Sequence, residues 1–266
     1  MYALRLYMAF AKVRFMTQLE YRGEYFVRTL SKIIAWSTGF IMVMVLLTRF
    51  QAVGGWTVYE VLFLYALNML THSLAGTFFM NSFENLPRNI RQGVFDGVLT
   101  KPVSPLFYYV CTNVSAGYTS NYVIGVSVLV VCFAKLSIPV TLLNIVWLIA
   151  VILGGCLIQA AGFILTNVPA FWILKSESLM TLFFDDVKSF LQYPITIYAV
   201  GIQVLVTFVL PYAFISFYPA QYFLGREDAL FHPLFQYLTL PVGALLYFVA
   251  VKVWNIGINR YNSTGS

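Results

Sequence analysis

Few side chains in this sequence have the type and spacing that catalysis or metal binding requires. His72 falls in the middle of a long apolar stretch, where an ionisable group is costly and often serves proton transfer. No acidic residue lies within the long uncharged stretches to act as its partner. Asp185 and Asp186 are adjacent, so on a helix they point about 100° apart, and no His or Cys stands beside them. The sequence therefore predicts neither an ion-coupled carrier nor a metal site.

The usual signatures of enzyme active sites are also missing from the sequence. There is no G-x-x-x-x-G-K-[ST] nucleotide-binding loop and no G-x-S-x-G nucleophile elbow. Cys111, Cys132 and Cys156 fall inside uncharged runs without metal-ligand spacing, as small core residues do. We therefore expect a chain that is not an enzyme and binds no cofactor of its own.

The elements that carry these residues are predicted to be long apolar helices. Hydrophobic residues make up 60% of the 266 residues and charged residues only 10%, whereas soluble domains carry about 25% charged residues. Charges divide the chain into six uncharged intervals, each able to supply one spanning helix. They are 33–48, 61–83, 102–134, 136–174, 189–225 and 229–251. The sequence predicts an all-α polytopic membrane protein with six transmembrane helices, forming a single domain over residues 1–266.

The distribution of lysine and arginine predicts the orientation of these helices. With the amino terminus inside, thirteen of the sixteen cations fall on the cytoplasmic side, and only Arg49, Lys135 and Arg226 lie outside. The positive-inside rule then puts both termini in the cytoplasm. Residues 1–30 are expected to form an interfacial helix on the inner leaflet, although their charges could also be purely topogenic.

The predicted loop between the second and third spans has the pattern of a short amphipathic helix over 86–101. Pro87 suits its first turn, and Ile90, Val94 and Val98 follow i, i+4 spacing with Phe95 and Leu99 on the same side. Gln92 and Asp96 lie opposite, and Pro102 ends the helix. The Gly93-x-x-x-Gly97 pair resembles a helix-packing motif of membrane helices, but it lies outside the lipid, where flexibility or close contact is the expected role. Such a helix can dock on a soluble partner, or it can lie flat on the membrane.

Two further segments could contribute to a transport pathway. Residues 178–192 have helical period, with Thr181, Asp185 and Lys188 on the polar stripe. This stripe could line the inner mouth of a pathway that continues to Gln203 in the fifth span, or it could be a solvated face. After a crossing over 195–210, residues 211–225 contain Pro211 and Pro219, which interrupt a helix. They are predicted to form an outer re-entrant segment, with an ordinary apolar loop as the alternative.

Three stretches of the sequence resemble one family of membrane proteins. The loop Ile90-Arg-Gln-Gly-Val-Phe-Asp-Gly-Val-Leu99-Thr-Lys-Pro102 resembles the membrane subunit of type-two ABC exporters, in a branch of prokaryotic six-span permeases. Phe217-Tyr-Pro-Ala-Gln-Tyr-Phe-Leu-Gly225 and Arg260-Tyr-Asn-Ser-Thr-Gly265 are similar to the same branch. Phe95 departs from its pattern, since the acidic residue usually has a smaller or more polar neighbour.

The resemblance implies an assembly of two membrane subunits and two ATP-binding-cassette ATPase subunits on separate chains. ATP and magnesium would be bound by the ATPase, and the second permease subunit could be the same chain or a different one. The loop would be the coupling helix, and its expected ATPase-interface residues are Arg88, Ile90, Arg91, Phe95, Asp96, Leu99 and Lys101. No nucleic acid is expected as a partner, and the implied location is the plasma membrane of a prokaryote.

These expectations combine into one hypothesis and one rival. The hypothesis is a permease subunit of an ATP-driven exporter, in which movement of the 86–101 helix tilts the second and third spans. The rival is a membrane scaffold or channel-like subunit that ATP does not drive. A lipid-modifying enzyme would need a catalytic cluster that the sequence lacks.

Overall fold

The structure, a computed structural model, describes residues 54–115, 117–173, 193–226 and 231–261, together with scattered helical residues between 23 and 45. The described residues contain helices and no β-strand, which agrees with the predicted all-α class. The interfacial helix expected at 1–30 lies almost wholly outside the described residues, and so does the polar stripe at 178–192. Some residues of the first predicted span are described. One of them, Gly39, lies against the Tyr65 ring.

Ten α-helices follow one another in the described residues from 54 onward. They are α1 Val58–Ala75, α2 Asn81–Glu84, α3 Leu86–Arg91, α4 Asp96–Leu99, α5 Pro105–Thr112, α6 Thr119–Lys135, α7 Leu142–Asn167, α8 Val200–Val204, α9 Phe217–Leu224 and α10 Thr239–Asn259. Gly76–Met80 and Leu205–Val209 are π-helical, and Val168–Phe171, Ile195–Ile197, Tyr212–Phe214 and Pro233–Tyr237 are 3-10 turns.

Three of these stretches are long and apolar enough to cross a membrane. They are Val58–Arg91 with 34 residues, Leu142–Phe171 with 30 and Thr239–Asn259 with 21. A bent pair of helices raises the number to four if it counts as one span. The third predicted interval is divided, because Asn113 ends α5 and only the 17-residue α6 remains apolar and continuous. The described residues therefore support three or four spans where the sequence predicts six.

The helices pack around α1, which lies against both α6 and α7. Gly125 of α6 brings that helix close to Leu70, and Gly155 of α7 lies directly against Thr71. The capping box of Thr57 and Glu60 begins α1, because the Glu60 side chain accepts the Thr57 backbone N–H at 2.6 Å. We call the end of the bundle at this cap the Trp56 end. The opposite end, where α3 and α4 lie, is called the Phe95 end.

Residues 195–226 form a bent hairpin, where the sequence predicts a fifth crossing over 195–210 followed by a re-entrant segment over 211–225. Its helical limbs, Val200–Val209 and Tyr212–Leu224, meet at an angle of 79°. Ile197 lies against Gly54, and Arg226 donates a hydrogen bond to the carbonyl of Gly55 at 2.8 Å, so the hairpin begins and ends at the Trp56 end. The first limb is only about 15 Å long at 1.5 Å per residue, which is half the thickness of the hydrocarbon core. The described residues therefore do not confirm a straight crossing over 195–210, and Pro211 stands at the turn.

Candidate functional site

The 86–101 segment is two short helices joined by a turn. α3 ends at Arg91, and α4 begins at Asp96. Between them the Gly93 backbone has a φ of +69°, a left-handed conformation that costs other L-residues roughly 1–2 kcal/mol. The Phe95 N–H then donates to the Asn89 carbonyl at 3.2 Å. The single amphipathic helix expected here was therefore wrong in detail, because the left-handed Gly93 interrupts the helix before the apolar stripe is complete.

The turn redistributes the predicted stripe between the inside and the surface. Ile90 is 3% exposed and Phe95 is fully buried, whereas Val94 is 57% exposed and Leu99 is 37% exposed. Two of the seven predicted interface residues thus lie inside the subunit, in contact with its own chain. Arg88, Arg91, Leu99 and Lys101 are exposed, and Asp96 is half-buried.

Phe95 is the centre of an aromatic cluster at the ends of several helices. Its ring packs edge-on at 5.3 Å from Phe171, 5.9 Å from Trp254 and 5.4 Å from Tyr261. It also meets Tyr109 of α5 at 5.6 Å. Edge-to-face pairs at these separations are favourable beyond the area they bury. Phe95 therefore joins the 86–101 segment to α5, to the end of α7 and to the end of α10.

Asp96 connects the same segment to the residue that follows α10. The Tyr261 hydroxyl donates a hydrogen bond to Asp96 Oδ1 at 2.8 Å. Burial, and then the hydrogen bond and negative charge of Asp96, raise the pKa of Tyr261 to about 12. The Tyr261 phenol thus stays protonated near neutral pH, so it can always donate the hydrogen bond to Asp96 at that pH.

One hydrogen bond from the segment and one from α2 reach the same tyrosine of α5. Asn89 Nδ2 donates to the Tyr109 hydroxyl at 2.8 Å, and Ser82 Oγ donates to the Tyr109 carbonyl at 3.1 Å. These contacts and the Phe95 cluster fix the buried side of the segment. The side chains on its other side are exposed.

The exposed side of the segment combines positive charge with apolar side chains. Its exposed members are Arg88, Arg91, Gln92, Val94, Gly97, Leu99, Thr100 and Lys101. Arginine and exposed aliphatic side chains on a rigid support are suited to docking on another protein. Since the buried side is fixed by packing, this surface is presented as a unit.

Of the four residues predicted to line a pathway, only Gln203 lies within the described residues. Gln203 is nearly buried in the first limb of the hairpin, and its amide donates to the Tyr198 carbonyl at 2.9 Å. Thr181, Asp185 and Lys188 lie outside the described residues. A cavity of about 220 Å³ lies beside the hairpin bend, lined by apolar residues of α7 and α10 with Leu210 and Tyr212. Thr166 is a polar residue in this lining.

Sequence reasoning missed a buried polar group between α1 and α7. Gln159 of α7 places its carbonyl oxygen 2.8 Å from His72 Nδ1, and its amide donates to Thr71 Oγ1 at 2.9 Å. The available signal was the run Asn68, Thr71 and His72 on one side of an apolar helix, with Gln159 in another. His72 thus has an uncharged hydrogen-bond partner between two helices. Among the residues described, no three His, Cys, Asp or Glu side chains are grouped as metal ligands would be.

Comparison with known families identifies what kind of membrane protein this is. The family model described as "ABC-2 family transporter protein" matches residues 33–265, which covers most of the chain. Searches of curated proteins and of solved structures gave no match. Members of this family are generally non-catalytic, multi-pass membrane subunits that associate with an ABC ATPase. The chain belongs to the ABC-2 family and is the membrane, or permease, subunit of an ABC transporter.

Proposed function

We propose that this subunit forms half of the translocation pathway of an ATP-driven exporter and receives force from its ATPase through the exposed side of the 86–101 segment. The observation that carries the proposal is the two-sidedness of that segment. Cationic and aliphatic side chains such as Arg88 and Val94 face outward, while the buried Phe95 contacts the ends of α5, α7 and α10. A partner that binds the outer side therefore acts on several helices at once.

The distribution of charge supports a cytoplasmic position for the Phe95 end. Arg88, Arg91, Lys101 and Arg260 belong to this end, whereas Lys135 and Arg226 stand at the Trp56 end. A majority of cations on one side favours the cytoplasm for that side. We place both termini there, in a prokaryotic plasma membrane, with two ATPase subunits and a second permease subunit of the same or a different sequence.

The proposed mechanism is a two-state equilibrium that ATP biases from the partner chain. ATP and magnesium bind the ATPase, and its closure moves the 86–101 segment. ATP can shift the permease only by its differential affinity for the two states of the complex. Because Ile90 and Phe95 are buried, their role is to transmit the movement. The exposed residues contact the partner, and they are Arg88, Arg91, Leu99 and Lys101.

The character of the described interior supports an amphipathic or lipid-like cargo. The cavity at the hairpin bend is mostly apolar, with Thr166 as a polar group in its wall. A hydrated ion would find few ligands there, whereas hydrocarbon would lose no hydrogen bonds. The rival function, a scaffold or channel-like subunit, would not need a surface that binds an ATPase.

Co-purification tests the proposal. The tagged chain is extracted from its own host, and the chains that remain bound are identified by mass spectrometry and assayed for ATP hydrolysis. We expect an ATP-binding-cassette ATPase, and we expect Arg88→Glu combined with Val94→Asp to reduce its recovery by about tenfold, since 1.4 kcal/mol of binding is sufficient.

The matched control is Lys135→Glu, a charge reversal at the Trp56 end that leaves the 86–101 segment intact. Phe95→Ala is unsuitable here because it opens a cavity inside the subunit. Full recovery of the ATPase with the double variant, or equal loss with Lys135→Glu, would contradict the proposed contact. Absence of any ATPase from the wild-type preparation would favour the scaffold.

A further inference from the structure

α10 contacts both the Phe95 cluster and the bend of the hairpin. We infer that α10, clamped to α7, carries displacement of the 86–101 segment to the hairpin bend, with Tyr261 and Thr239 as positioning residues at its two ends. The inference rests on the proposed function only for the source of the displacement. It adds to the sequence-based hypothesis, in which movement of the segment tilts the second and third spans.

At the Phe95 end, α10 is attached to the segment by two kinds of contact. Trp254 lies 5.9 Å from the Phe95 ring and is itself fully buried. Tyr261, just beyond the helix, donates its hydrogen bond to Asp96. A shift of Phe95 and Asp96 would therefore displace α10 through both packing and a hydrogen bond.

Along its length, α10 is interlocked with α7 through residues without side chains. Gly243 lies directly against the Gly154 carbonyl, and Gly257 lies against the Phe171 ring. A close-packed interface of this kind shifts as a unit, because it has no free volume to absorb strain. α10 is also continuous for 21 residues, or about 31 Å, so movement at one end reaches the other.

At its other end, α10 holds the hairpin close to its turn. Thr239 Oγ1 donates to the Phe214 carbonyl at 2.9 Å, and both residues are buried. Leu246 lines the same cavity as Leu210 and Tyr212. The chain leaves regular α-helical bonding here, since the π-helical Leu205–Val209 and a 3-10 turn flank Pro211. Such interruptions are where helices bend.

The end of the second limb of the hairpin is attached to a different helix. Arg226 lies 3.5 Å from the Glu60 carboxylate at the start of α1 and over the Trp56 ring. α1 thus holds the hairpin at the Trp56 end, and α10 holds its bend. This division makes the bend the part that an α10 displacement would move.

Hydrogen–deuterium exchange of the permease alone in lipid nanodiscs tests the inference. Tyr261→Phe and Thr239→Val each remove one hydroxyl and preserve the side-chain shape. We expect Tyr261→Phe to raise exchange roughly two- to fivefold both at 96–101 and at the hairpin bend, 205–216. Thr239→Val should raise it at the bend only. Adding Tyr261→Phe to Thr239→Val should then produce little further change at the bend.

Ser127→Ala is the control, because it removes a hydroxyl that bonds within α6. The inference is overturned if Tyr261→Phe raises exchange at 96–101 while the bend exchanges as in the control. It is equally overturned if exchange rises throughout the chain, since Tyr261 would then support the bundle as a whole. No ATPase is present in this experiment, so its result is independent of whether the proposed partner binds.

Discussion

Gly243 of α10 lies in direct backbone contact with the carbonyl of Gly154 in α7. A Cβ atom added to Gly154 would in turn lie 2.8 Å from Leu240 Cα, which is also backbone. Neither contact can be relieved by rotating a side chain, so the two helices would have to separate. We expect Gly243→Ala to lower the free energy of unfolding by about 1–3 kcal/mol, measured by denaturant titration in mixed micelles.

Gly201→Ala is the matched control for this prediction, because it adds a methyl group in helix α8 where no atom lies within 4 Å. The double variant Gly154→Ala with Gly243→Ala should cost less than the sum of the two single changes, since one separation relieves both clashes. Additive losses of unfolding free energy in the double variant, or a Gly243→Ala protein as stable as the wild type, would show that α7 and α10 are not held in backbone contact.

Gly93 and Gly97 are predicted to respond in opposite ways to alanine. Gly93 has a φ of +69°, so Gly93→Ala should cost about 1–2 kcal/mol and weaken the turn that presents Val94. Gly97 is helical and a Cβ there meets no atom within 4 Å, so Gly97→Ala should be neutral or gain up to about 1 kcal/mol. Thermal unfolding of the two variants in nanodiscs measures the difference. Equal effects would mean that the 86–101 segment is a single helix after all.

Arg226 should not be replaceable by lysine. Its guanidinium donates to the Gly55 carbonyl at 2.8 Å, lies 3.5 Å from Glu60 and stacks over Trp56 at 5.0 Å. A lysine ammonium cannot make the planar stack and the two directed contacts together. We expect Arg226→Lys to lose about as much exchange protection at 217–226 as Arg226→Gln, and Lys135→Gln to lose none. Full protection in the lysine variant would show that positive charge alone holds the hairpin.

The apolar intervals of the sequence located the main helices because burial in lipid leaves a continuous local pattern. α7 falls inside the predicted 136–174 interval, and α1 begins three residues before the second interval at 61–83. α10 begins ten residues into the interval at 229–251, because Pro233 starts a separate 3-10 turn. Length and hydropathy are sufficient to locate such helices, because they do not depend on contacts with distant residues.

The candidate site was less predictable because it depends on contacts between distant parts of the chain. The spacing of Ile90, Val94 and Val98 fits a helix equally well with or without the Gly93 turn, so the pattern could not show which residues are buried. Phe95 was assigned to a partner surface because its contacts with Trp254 and Tyr261 have no local signal. For the hairpin, Pro211 indicated a break, but the side from which the first limb enters is set by the packing of Ile197 on Gly54.

Site-specific photocrosslinking tests most directly whether the exposed side of the 86–101 segment receives the ATPase. A photoreactive phenylalanine analogue is placed at Val94, or at Val140 near the Trp56 end, both of which are exposed, and the tagged complex is irradiated in its own membranes. We predict a crosslink from position 94 to an ATP-binding-cassette ATPase and none from position 140. A crosslink to that ATPase from position 140, or none from position 94 in a complex that retains the ATPase, would contradict the account.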